Sequence, residues 1–76
     1  MEQKLVEGIA DVLEVETGDL SLDTDFREDK FEFDSLKGYA ILVTIEDDFG
    51  YKMSVDDFIA SKTIRDLYDK IQAAAA

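Results

Sequence analysis

The stretch that most constrains this chain runs from Phe33 to Gly50. Within it Ile41, Leu42, Ile45 and Phe49 recur at spacings of three and four, which puts them on one face of a helix. Asp34 and Ser35 open the helix, and both are good N-cap types because their side-chain oxygens accept from the orphan N–H groups of a first turn. Gly50 suits the left-handed residue that commonly closes one. Leu36, Tyr39 and Val43 form a second apolar row turned away from the first. One stripe suffices to hold a surface helix to a core, so the second row needs a use of its own.

The remaining segments read as partners for that helix. Residues 2–16 predict a first amphipathic helix with Leu5, Ile9, Val12 and Leu13 on one face and Val6 at its edge, stopped at Thr17-Gly18. Gly8 either weakens this helix by about 1 kcal/mol relative to alanine or lets a neighbour pack closely. Residues 17–33 form a long acidic connection, pinned by Leu20, Leu22, Phe26, Phe31 and Phe33. After Gly50, Ser54 and Asp57 approximate a capping box over a short helix that reaches Ala60. Thr63 and Asp66 repeat that spacing at the head of a last helix, whose face is Ile64, Leu67, Tyr68 and Ile71, and Ala73 to Ala76 extend or fray its end. The expected fold is all-α: one domain over residues 1–76, a small four-helix bundle with a long first loop and a short third helix, its core in 2–71 and an alanine-rich tail in 72–76.

Composition removes most chemistry. With no cysteine and no histidine, disulfides, thiolate metal sites, a cysteine nucleophile and a Ser-His-Asp triad are all excluded. The run from Asp19 to Asp25 is no calcium loop, since an EF-hand needs glycine at its sixth position and glutamate at its twelfth, where this chain has Thr24 and Lys30. No metal site is expected. A net charge of −11 opposes nucleic-acid phosphates and anionic membrane surfaces as partners. It serves solubility, or steering toward basic patches on other proteins. No apolar run approaches the ~20 residues that cross a bilayer. No basic segment followed by an apolar core marks an export signal, so the expected location is cytoplasmic, and a monomer is expected.

Asp34-Ser35-Leu36 at the head of the second helix resembles the signature of the acyl carrier proteins, in which the serine carries a 4′-phosphopantetheine arm. The resemblance extends over residues 2–71. Asp23-Thr24-Asp25-Phe26 resembles the family's aromatic-ended loop segment, and the helix close Glu46-Asp47-Asp48-Phe49-Gly50 and the final Thr63-Ile64-Arg65-Asp66-Leu67 are similar to the family's later helices, at the expected distances. It implies a non-enzymatic carrier with Ser35 as the attachment residue, flanked by Asp34 and Leu36. A phosphopantetheinyl transferase would load it from coenzyme A, and the arm's thiol would then hold acyl groups for acyl-transferring, condensing or ligase enzymes with basic docking patches. Such a serine needs no base of its own, which fits a chain without histidine. Leu36, Tyr39 and Val43, beside Glu46 and Asp47, match positions that face partner enzymes, although Tyr39 has packing on the long loop as its other reading. Ile41, Leu42, Ile45 and Phe58 are candidates to line a gap for an acyl chain, or plain core.

The chain departs from the family pattern at several positions. Glu32 stands where the family usually has glycine, one residue is inserted between Phe26 and Phe31, Lys37 and Ala40 replace acids early in the helix, and Gly38 enters its first turns. Altered rim charge changes recognition and on-rate more than the fold. This favours a dedicated carrier for a specialised acyl pathway over service to a housekeeping fatty-acid synthase. The alternative is an unmodified acidic module of the same fold, which binds a protein through Leu36, Tyr39 and Val43.

Overall fold

Four helices, α1 Glu2–Leu13, α2 Ser35–Phe49, α3 Val55–Ala60 and α4 Ile64–Ala75, follow the predicted order in the computed structural model, which describes residues 2–75. Among the described residues there is no β-strand, and the architecture is the all-α bundle with a long first loop and a short third helix. Of the alanine tail, Ala76 lies outside the described residues. Leu5, Ile9, Leu13, Ile41, Ile45, Ile64, Leu67 and Ile71 are the helical heart of the core, each the inward member of a three–four repeat. Gly8 allows α1 to lie close on α2: a Cβ there would meet Cγ2 of Thr44 at 2.8 Å.

Helix α1 ends at Leu13, three residues short of its predicted last residue, Glu16. Glu14 takes a left-handed conformation, φ 60°, and its N–H donates to Asp11 O at 3.3 Å while Val15 N–H donates to Ala10 O at 3.0 Å. This pair of backbone bonds is the Schellman closure that glycine usually enables. Glu14 provides it without glycine, and Val15 folds back against the core that holds Ala10. Gly18 instead lies in a 3₁₀ turn, Thr17–Asp19.

Leu20, Phe26 and Phe31 are buried, and Leu22 and Phe33 pack against the core, so the apolar anchors hold the long loop as expected. Backbone bonds that the sequence pattern does not reveal also fasten it. Arg65 N–H donates to Leu22 O at 2.7 Å and Ile64 N–H to Thr24 O at 3.2 Å, so loop carbonyls satisfy orphan donors at the start of α4. Arg65 Nε adds a bond to Asp23 Oδ1 at 3.1 Å. A second 3₁₀ turn, Asp29–Phe31, brings the chain to Glu32, which is left-handed at φ 51°. The position where the resemblance leads one to expect glycine is thus one whose backbone favours glycine.

Candidate functional site

Helix α2 begins with a division of labour between neighbours. Asp34 has extended backbone and is the N-cap; its Oδ1 accepts Lys37 N–H at 2.9 Å, and its carbonyl accepts Gly38 N–H at 3.0 Å. Ser35 is therefore the first helical residue and not the cap. It is exposed, and its hydroxyl has no hydrogen-bond partner among the described residues. Lys37, one of the departures in charge, turns back to the loop and donates from Nζ to Phe31 O at 3.0 Å. At the far end Gly50 closes the helix with φ 68°, its N–H bonded to Glu46 O.

Beside Ser35 lies a cleft of about 460 Å³ between α2, α3 and the end of the loop. Phe33, Gly38, Tyr39, Leu42, Val55, Phe58 and Ile59 form its walls, with Asp34, Ser35 and Arg27 as the polar lining. Phe26, Phe33 and Phe58 make one aromatic cluster with ring centroids 5.5–6.3 Å apart. Gly38 makes room for two of these rings. A Cβ on it would lie 3.1 Å from Phe33 Cζ and 3.2 Å from Phe58 Cε2. The Arg27 guanidinium sits 5.3–5.9 Å from all three ring centroids, and donates from Nη1 to Ile59 O at 3.1 Å and from Nη2 to Phe58 O.

Among the residues expected to line an acyl gap, Leu42 and Phe58 face this cleft. Ile41 and Ile45 are fully buried in the core and are not part of its lining. Tyr39 lies at the cleft while remaining 69% exposed, so it is not covered by the long loop. Leu36 and Val43 are exposed on the same helix, as are Glu46 and Asp47. Two residues absent from the sequence reading, Val55 and Ile59 of α3, are 60% and 61% exposed and continue the apolar surface across the cleft mouth. Their i, i+4 spacing on a six-residue helix is the signal that was open to notice. Arg27 had no such signal, because its neighbours at the cleft come from distant parts of the chain.

The four-helix bundle, with an exposed serine at the head of α2 and an apolar cleft beside it, defines an acyl-carrier-like domain. Comparison with known proteins agrees. Residues 3–71 match the family model described as a phosphopantetheine attachment site. The chain is also similar to an acyl carrier protein of Treponema denticola, 32% identical over 71 residues that cover 93% of this chain and 90% of the relative. The chain belongs to the acyl carrier protein family. Members of this family are carriers and not enzymes, and their cofactor is a covalently attached 4′-phosphopantetheine. They work with a phosphopantetheinyl transferase and acyl-handling enzymes. No described helix is long and apolar enough to cross a membrane.

The residues at the head of α2 fit the cofactor. A phosphodiester on Ser35 would stand at the positive end of a fifteen-residue helix, where an anion is favoured. The Ser35 hydroxyl is exposed and takes no part in capping.

Proposed function

We propose that Ser35 is the attachment residue and that this chain carries acyl groups of a specialised pathway, presenting them through the exposed α2–α3 surface. The observation that carries this reading is the free Ser35 hydroxyl beside an apolar cleft, with helix capping delegated to Asp34. In the loading reaction Ser35 Oγ bonds the phosphorus that carries the pantetheine arm as the bridging P–O bond of the coenzyme A pyrophosphate breaks, and the adenosine bisphosphate half leaves with that bond's electron pair. The transferase supplies the base that takes the hydroxyl proton, since this chain has no histidine. When attached, the arm would supply the thiol that this cysteine-free chain lacks, for thioester linkage to an acyl group. Asp34 flanks the attachment residue as the helix cap, and Leu36 flanks it on the other side as an exposed apolar residue at the head of the docking strip.

Leu42 and Phe58, with Phe33, Val55 and Ile59, form the shelter for the acyl chain, while Ile41 and Ile45 support it from the core. Leu36, Tyr39 and Val43 dock partners, and Glu46 and Asp47 meet a basic patch on the acyl-transferring, condensing or ligase enzyme. An exposed apolar strip with a charged rim has the composition of a transient interface. The protein works in the cytoplasm as a monomer. Lys37, held to Phe31 O, and the missing early acids set its partners apart from those of a housekeeping synthase.

Intact-mass analysis after incubation with coenzyme A, magnesium and a broad-specificity phosphopantetheinyl transferase tests the attachment. A single phosphopantetheine addition, absent from Ser35→Ala, is expected. No addition with that enzyme or with the host's own transferase would instead favour an unmodified interaction module.

A further inference from the structure

Helix α3 forms one wall of the cleft through Val55, Phe58 and Ile59, yet it has little means of holding itself there. It has six residues, well short of the ~12–15 at which an isolated helix becomes stable in water. Phe58 is the one buried residue of the six, while Val55 and Ile59 are largely exposed. Its own closures are local. Ser54 Oγ accepts Asp57 N–H at 3.1 Å, Ser61 N–H donates to Phe58 O at 3.1 Å, and Ser61 Oγ donates to Asp57 O at 2.9 Å. Such bonds keep the helix wound but do not fix its place on the bundle.

Arg27 of the long loop does fix it. Nη1 donates to Ile59 O at 3.1 Å and Nη2 to Phe58 O, so one guanidinium takes up two orphan acceptors at the end of α3 with charge-assisted bonds. The same group stands 5.3–5.9 Å from the ring centroids of Phe26, Phe33 and Phe58. The loop end is firm as well. Arg27 N–H donates to Asp25 Oδ1 at 2.9 Å, Asp25 bridges to Thr63 at the head of α4, and Phe26 is fully buried. Among the described residues the Arg27 side chain bonds no element other than α3. Its Nε is buried without an acceptor, a cost that the two charge-assisted bonds offset.

Resting on the carrier reading above, we infer that Arg27 is the positioning residue of the acyl shelter: it clamps the end of α3 to the loop, so that the cleft beside Ser35 stands formed before any cargo enters. A wall already in place spares the cargo the free energy of ordering it, which is how preorganisation raises affinity. Without the clamp α3 keeps only Phe58 of its own residues in the core, and sheltering an acyl chain must also order the helix.

The test compares the full-length parent with two variants. Arg27→Met keeps an unbranched side chain against the rings and removes both bonds. Arg27→Lys keeps the charge but lacks the fork that reaches two carbonyls at once. In the unloaded proteins, native-state hydrogen exchange reads the amides of Phe58 and Ser61 against those of Leu67 and Ile71 in α4. Arg27→Met should speed exchange at Phe58 and Ser61 by about tenfold beyond any change at Leu67 and Ile71, the effect of losing bonds to a charged group. The proteins are then loaded at Ser35 with an amide-linked octanoyl pantetheine, which resists hydrolysis. Octanoyl should raise the Tm of Arg27→Met by no more than about half of its rise in the parent, and any general loss of stability cancels in that comparison. Arg27→Lys should fall between the two in both measurements, and it decides if Arg27→Met does not fold. Phe58 and Ser61 that exchange in step with Leu67 and Ile71 would overturn the clamp. An octanoyl rise in Tm equal to the parent's would overturn the positioning role. Failure of the arm to attach, seen by mass, would defeat the carrier reading and the positioning role with it, while exchange in the unloaded proteins still judges the clamp.

Discussion

Asp34 Oδ1 accepts the N–H of Lys37 at 2.9 Å, and that bond releases Ser35, the residue next to it, from capping α2. Sequence alone makes both residues candidates for the cap. The division between them has an energetic signature. Asp34→Ala should lower stability by about 1 kcal/mol, the usual cost of a lost N-cap. Ser35→Ala should stay within about 0.5 kcal/mol of the parent, as exposed substitutions away from special features do. Urea melts of the two variants check this, and a larger loss for Ser35→Ala would reverse the assignment.

Gly38 faces Phe33 and Phe58 at distances that a methyl group can occupy only if the rings shift by a few tenths of an ångström. Both rings border the cleft, so they have space to yield. Gly38→Ala should therefore gain up to about 1 kcal/mol from helix propensity in the unloaded protein. It should also narrow the cleft and reduce the Tm rise produced by an octanoyl cargo. Paired melts of unloaded and octanoyl-loaded protein measure both effects.

Glu32 holds a left-handed backbone, a conformation that costs an ordinary L-residue about 1–2 kcal/mol. Glycine removes that cost and adds about 0.5–1 kcal/mol of chain entropy. Glu32→Gly should come out about 0.5–1 kcal/mol more stable, while Glu32→Val, β-branched at positive φ, should lose about 1 kcal/mol or more. Equilibrium unfolding distinguishes these opposite signs.

Asp66 accepts from Lys62 N–H at 2.9 Å and Thr63 N–H at 3.1 Å, and Asp66 N–H donates to Thr63 Oγ1 at 3.3 Å, which completes a capping box at the head of α4. These backbone donors hold its carboxyl below the ordinary value of 3.8. A folded pKa below the unfolded one adds stability that is present above the ordinary value and is lost as pH falls toward the folded pKa. The stability difference between the parent and Asp66→Asn should thus be constant near neutrality and shrink below about pH 4. A difference that grows as pH falls would contradict the sign.

Nineteen acidic residues face eight basic ones, and only two ion pairs form among the described residues. Like-charge repulsion in the compact state outweighs these exposed pairs. Raising salt from about 0.01 to about 0.2 M should therefore increase Tm, since the screening length falls from ~30 Å to below ~8 Å. Calorimetry over that range measures it, and a flat Tm would count against the charge argument.

Local features of this chain were legible because their causes are local. The three–four spacing and the capping residues located α2 between Asp34 and Gly50, and the Thr63–Asp66 spacing gave the head of α4. The lack of cysteine and histidine removed nucleophilic and thiolate chemistry before any fold was known. Asp34-Ser35-Leu36 drew attention to the head of α2. Tertiary structure alone decided which apolar residues serve the cleft. Periodicity assigns Ile41, Leu42 and Ile45 to one broad face, but the covering neighbours determine that Leu42 meets the cleft and Ile41 and Ile45 the core. Tertiary packing also ended α1 at Leu13, where Val15 folds back against the core and outweighs the poor fit of Glu14 to a left-handed turn. Arg27 lay furthest from view, since its partners are carbonyls 31 and 32 residues away. A clamp between distant segments is a property of the folded surroundings, and no spacing in the chain encodes it.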